Sequence, residues 1–94
     1  MSAKLALAKF LLGRIVATPN ALSRLTNEDI LKAIGRHQAG DWGTLDAHDW
    51  RVNERALQNG GRLFSQYSTN QNIKFWIITE ADRSSTTVLL PEDY

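Results

Sequence analysis

The sequence predicts an α+β domain in which N-terminal helices pack on a C-terminal three-stranded antiparallel meander. Three observations carry this reading. Two segments in the first two thirds carry helix caps at one end and glycine stops at the other. Three short β-prone segments follow, separated by polar turns. In the middle one, Phe75 and Ile77 alternate with Trp76 and Ile78, so both faces are apolar, as in a central strand.

The chain opens on Leu5-Ala6-Leu7-Ala8-Lys9-Phe10-Leu11-Leu12, with Lys4 before it. Lys9 interrupts the apolar run, whereas a secretory core needs about 7 to 15 uninterrupted apolar residues and a membrane span about 20. An amphipathic first helix fits better, with Leu5, Leu12 and Ile15 or Leu7 and Leu11 turned inward. Arg14 to Ala17 is short and β-branched and reads as one extra short strand near Arg14–Thr18. Thr18-Pro19 then reads as an N-cap followed by proline at the first helical position.

The second helix is better marked. Thr26 caps it, Asp29 stands at the capping-box distance, and Leu25 and Ile30 form a hydrophobic staple. It runs to about Gln38 and stops at Gly40, with Ile30, Leu31 and Ile34 as its expected inward face. Gly35 inside it costs roughly 1 kcal/mol against alanine, which implies either a close helix crossing or simple tolerance. The loop Ala39 to Thr44 carries Trp42, which its flanking glycines lead us to expect partly exposed. The third helix starts at Asp46, with Asp49 at N3 and Leu45 stapled to Trp50, and ends at Asn59 before Gly60-Gly61. Trp50, Asn53 and Leu57 share one face, which puts a polar residue on an apolar stripe.

Expected strands are Arg62–Tyr67, Ile73–Thr79 and Thr86–Leu90, the last stopped by Pro91. A sheet buried on both faces needs two covers. One is expected from Trp50 and Leu57, the other from the first segments or from a second copy of the chain. Its edges leave a homodimer open, since they can pair across a two-fold axis.

With 94 residues, the chain has room for one domain spanning 1–94. Hydrophobic residues at 43% and charged ones at 22% suit a globular fold rather than a disordered one. There is no cysteine, so disulfides and thiolate metal sites are excluded and the expected compartment is the cytoplasm. Eleven basic against ten acidic side chains leave a formal charge of +1, too even for a strongly basic nucleic-acid binder or an acidic DNA mimic.

Possible chemistry is concentrated in few places. His37, Asp41, Asp46, His48 and Asp49 fall in one region, but lack a helical histidine pair at ligand spacing, and capping accounts for Asp46 and Asp49; no metal or cofactor is expected. Acid–base cleavage of a phosphodiester would draw on His37, Glu80 and Asp82 and on the cations Arg62 and Arg83, with His37 or Glu80 as the proton-transfer group and the two arginines on the phosphate. The competing account of Glu80, Asp82, Arg83, Ser84 and Ser85 is a locally bonded hairpin turn, and that of His37 a cation at a helix C-terminus. Arg51, Arg55 and Arg62 form a basic stripe diluted by Asp49 and Glu54. Nucleophile elbows, phosphate-cradling loops and dinucleotide fingerprints do not occur.

The segments Gly13-Arg14-Ile15-Val16-Ala17-Thr18-Pro19, His37-Gln38-Ala39-Gly40-Asp41-Trp42-Gly43 and Trp76-Ile77-Ile78-Thr79-Glu80-Ala81-Asp82-Arg83-Ser84 resemble a family of short plasmid-related bacterial proteins. That family is carried on plasmids, integrative elements and phage-like islands. The resemblance implies mobile DNA as the setting and implies no mechanism. Helices followed by a sheet bearing Thr79 and Thr86 are also similar in layout to barnase-like ribonuclease toxins, an analogy of fold alone.

The leading expectation is a non-catalytic binding protein of a mobile element, most concretely an inhibitor of a host defence system (anti-CRISPR or anti-restriction). Its expected contacts are His37, Asp41 and Trp42 with the turn Asp82-Arg83-Ser84, its expected partner a protein rather than a nucleic acid, and no membrane is involved. The alternatives are a metal-independent ribonuclease using His37, Arg62, Glu80 and Arg83, and a DNA-binding regulator of element genes.

Overall fold

A computed structural model describes residues 7–94. The elements are strand β1 (Arg14–Ala17), helices α1 (Pro19–Arg24), α2 (Asn27–Gln38) and α3 (Ala47–Asn59), strands β2 (Leu63–Ser68), β3 (Lys74–Thr79) and β4 (Ser85–Leu89), and a final 3-10 turn (Pro91–Asp93). The class is α+β, as the sequence implies. The sheet has four strands in the order β1-β4-β3-β2: the meander β2-β3-β4 is antiparallel, and β1 adds to it parallel to β4.

Local signals set the helix boundaries. Thr18 and Thr26 accept the N–H groups of Ala21 and Asp29, Asp29 returns a bond to the Thr26 N–H, and Asp46 accepts from Asp49 at 2.8 Å. Each bond satisfies an amide that a helix start would otherwise leave unpaired. α3 ends at Gly60, whose positive φ of 81° suits glycine and whose N–H returns to Ala56 O.

The expected first helix is not present in its described part. Residues 7–13 run irregularly, and Leu7 and Leu11 are exposed rather than inward; Leu5 lies outside the described residues. Tertiary bonds override the weak helical pattern here: Lys9 N–H donates to Gln38 O and Gln38 Nε2 to Phe10 O, tying this segment across the end of α2.

One sheet face packs on α1 and α2. Ala21, Leu25, Ala33 and Ile34 meet Tyr67, Phe75, Ile77, Val88 and Leu90 in a single buried cluster. The inward stripe of α2 is Ile30, Ala33, Ile34 and His37, a spacing of i, i+3, i+4 and i+7; Leu31 lies off it and is 69% exposed, contrary to expectation. Gly35 sits on the outer side, with nothing within 4 Å of the place a methyl group would occupy, so tolerance and not a helix crossing explains it.

The opposite face carries Phe64, Trp76, Ile78 and Leu89. α3 does not cover a face as expected. It runs along the outer edge of β2, where Asn53 is buried while Trp50 and Leu57 are half-buried. Asn53 Nδ2 donates to Phe64 O at 2.5 Å and its Oδ1 accepts from Phe64 N–H at 3.1 Å. One side chain thus stands in for the neighbouring strand that β2 lacks.

Candidate functional site

The titratable group buried most completely is His37, with 0% of its surface exposed. α2 projects it over the sheet, where Ser65 of β2, Thr79 of β3 and Thr86 of β4 present their hydroxyls from the same face. Nδ1 lies 2.6 Å from Ser65 Oγ and Nε2 2.9 Å from Thr79 Oγ1; Thr79 Oγ1 lies 2.7 Å from Thr86 Oγ1, and Thr86 Oγ1 donates to Leu12 O at 2.7 Å.

Proton order follows from the far end. A carbonyl can only accept, so the Thr86 proton is on the bond to Leu12 O, and Thr86 must accept from Thr79. Thr79 in turn accepts from His37 Nε2–H. Nδ1 is then the acceptor for Ser65 O–H. A neutral imidazole with its proton on Nε2 satisfies every member, whereas a second proton on Nδ1 would face a hydroxyl already bound there. Burial, and secondarily the nearby Arg83 charge, hold the imidazole down to about 4, in agreement with the bonding.

An aromatic cage closes the site. The Phe10 and Trp42 rings meet His37 edge-on, with centroids 5.2 and 5.5 Å away. Trp42 is 0% exposed and donates its indole N–H to Glu54 Oε2 at 2.7 Å, so the expected partial exposure is corrected. The glycines beside it serve close approach rather than mobility. Gly43 bridges to Gln66 with φ 79°, and any Cβ there would overlap the Gln66 carbonyl oxygen. That contact turns the indole inward.

Arg83 is structural in its contacts. Its Nη1 donates to Gly61 O, Glu80 O and Ala81 O at 2.5, 3.1 and 3.3 Å, and its Nη2 to Ala56 O at 3.1 Å. The guanidinium therefore closes the C-terminus of α3 on to the β3–β4 turn. Arg83 itself adopts φ 61° in that turn. Of its neighbours, Asp82 is exposed and accepts from Ser84 N–H, and the Ser84 hydroxyl first and then that amide hold its carboxyl below the usual range. Asp41 is paired with Arg36 at 2.8 Å and lowered by it.

The residues expected to cleave a phosphodiester are not brought together. Arg62 and Glu80 pair at 3.5 Å on the face that bears Phe64 and Trp76, while His37 lies under the opposite face near Arg83, so the sheet splits the four residues into two pairs. Among the described residues no three His, Asp or Glu side chains gather as metal ligands. No described helix is long and apolar enough to cross a membrane.

Sequence reasoning missed one open cleft among the described residues. Phe64, Trp76, Ile78, Arg62 and Tyr94 line a cleft of about 290 Å³ on the sheet face away from α1 and α2. Trp76 meets the Phe64 and Tyr94 rings edge-on at 5.0 and 5.8 Å, and its indole donates to Gln66 Oε1. Arg62 donates to the Tyr94 hydroxyl at 3.1 Å. The alternation of Phe64, Trp76 and Ile78 on one face was legible, but nothing local marked that face as incompletely covered. No protein-family model, no curated protein and no solved structure matches this chain.

Proposed function

We propose that this chain is a non-catalytic protein-binding module whose contact face is the cleft of Arg62, Phe64, Trp76 and Tyr94. The observation that carries the reading is the division between engaged and open groups. His37 is closed into a neutral, fully bonded network, and Arg83 is bound to four carbonyls. The cleft, by contrast, offers aromatic rings and a cation at the surface. Tryptophan, tyrosine and arginine are the residues that most often dominate protein interfaces, since each gives a large contact area with a polar tip.

The chemistry that fits is an apolar or aromatic anchor inserted against Trp76, followed by an acidic group on Arg62. The setting drawn from the sequence resemblance is mobile DNA, and inhibition of a host defence complex is the form of binding that suits it. Asp82 and Ser84 are exposed in the β3–β4 turn and stand outside the cleft lining; His37 and Trp42 take no part, because buried side chains offer a partner no surface.

Affinity capture from a bacterial host, with wild type and Arg62→Glu side by side, tests this. A protein retained by wild type and lost by Arg62→Glu supports the reading. RNA cleavage by the purified chain in EDTA would replace it with the ribonuclease reading, and recovery of DNA with a steep salt dependence would replace it with the regulator.

A further inference from the structure

The two edges of the sheet are treated differently. The outer edge of β2 is closed: Asn53 takes both backbone groups of Phe64, and Gln66 N–H donates to Trp42 O while Gln66 O accepts from Thr44 N–H at 2.8 Å. Among the described residues, no strand pairs with the outer edge of β1. Arg14 N–H donates to Ser84 O and Thr18 N–H to Val88 O, so by strand alternation Arg14, Val16 and Thr18 address β4, and Ile15 and Ala17 point their N–H and C=O groups away from the sheet.

Exposed apolar side chains gather at this edge. Ile15 is 49% exposed, Val16 37%, Leu22 60% and Leu31 69%, and together they line one groove beside β1. An unpaired edge flanked by exposed apolar side chains is a pairing surface.

We infer that β1 pairs antiparallel with β1 of a second copy across a two-fold axis, joining the two sheets into one of eight strands. With Val16 on the axis, Ile15 N–H and C=O meet Ala17 of the second copy, and the reverse pair forms by symmetry, giving four backbone bonds. The same register sets Arg14 opposite Thr18 of the second copy. Thr18 Oγ1 donates to Asp93 Oδ2 at 2.6 Å, and Asn20 Nδ2 and Leu90 N–H also bond that carboxylate, so a hydrogen-bonded anion with no cationic partner among the described residues lies beside that position. Among the described residues Arg14 has no acidic partner within its own chain. Each copy therefore supplies the cation the other lacks, twice, with no like charges opposed. This self-complementarity selects a second copy over an unrelated strand. The inference does not depend on the cleft described above, which lies toward the other end of the sheet.

Sedimentation of the full chain between about 1 and 500 µM is the test, because association is concentration-dependent. Wild type is expected to convert from monomer to dimer over this range. Ile15→Lys places a charge in the apolar seam and is expected to raise the dimer Kd by about 100-fold or more, with unchanged far-UV circular dichroism. Val52→Lys, at an exposed apolar position on α3, is expected to leave the dimer intact. A wild type that stays monomeric overturns the inference, as does a folded Ile15→Lys chain that still dimerises. If Ile15→Lys fails to fold, wild-type amide exchange decides: Ile15 and Ala17 amides should be protected at high concentration and exchange freely at low. Concentration-independent exchange would refute the pairing.

Discussion

His37 Nε2 donates to Thr79 Oγ1 at 2.9 Å, and that bond places the imidazole proton on Nε2, because the Thr79 hydroxyl is committed onward to Thr86, which leaves Nδ1 to accept from Ser65 Oγ. Nitrogen NMR should show the Nε2–H tautomer at pH 7.

The same group makes stability depend on pH. Its pKa falls from an ordinary 6.5 to about 4 in the fold, so between those values the unfolded chain binds more protons. The His37 contribution is fully present above about pH 6.5 and lost progressively toward pH 4, amounting to about 3 kcal/mol. Urea titrations from pH 7 to pH 4 should show this loss. In His37→Gln, which is less stable at pH 7, the slope over that window should be much shallower.

Asn53 replaces a missing strand, so its loss should do more than open space. Asn53→Ala leaves Phe64 N–H and C=O without partners at a part-buried edge and should cost about 2 kcal/mol in chemical denaturation. Asn53→Asp should cost at least as much at neutral pH, since a carboxylate would face the Phe64 carbonyl.

Arg83 combines a left-handed backbone with four carbonyl contacts, and two variants separate these roles. Arg83→Ala should lose about 2 kcal/mol, while Arg83→Gly, freed of the strain at φ 61°, should lose less by about 1 kcal/mol. Thermal unfolding of the pair reads the difference. Equal losses would mean that the backbone strain is negligible.

Gly35 is exposed within α2 and has open space around it, so Gly35→Ala should stabilise by about 1 kcal/mol. Gly43→Ala should do the reverse and strongly, because the new methyl group would meet the Gln66 backbone.

What could be read from the sequence was local. Thr18, Thr26 and Asp46 announced their helices because a cap is decided by the few residues beside it. The meander was legible because short turns keep its strands adjacent. The pairing of β1 with β4 was not, since Arg14 and Ser85 are brought together by the whole fold and neither segment names its partner. His37 could have been found: Ile30, Ala33 and Ile34 place it on the buried stripe, and weighting Leu31 over the smaller Ala33 hid that pattern. The Arg83 cap left no signal, because its acceptors Ala56, Gly61, Glu80 and Ala81 are backbone carbonyls, which every residue has. Trp42 misled because glycine marks close approach as readily as mobility.

Binding through the aromatic cleft is tested most directly by the affinity of the captured partner for wild type, Trp76→Ala and Arg62→Glu. Both variants are expected to stay folded and to bind at least about 100-fold more weakly, the scale of a loss at an interface hot spot. Affinities within a few-fold of wild type for both would contradict the assignment and move the contact face elsewhere on the molecule.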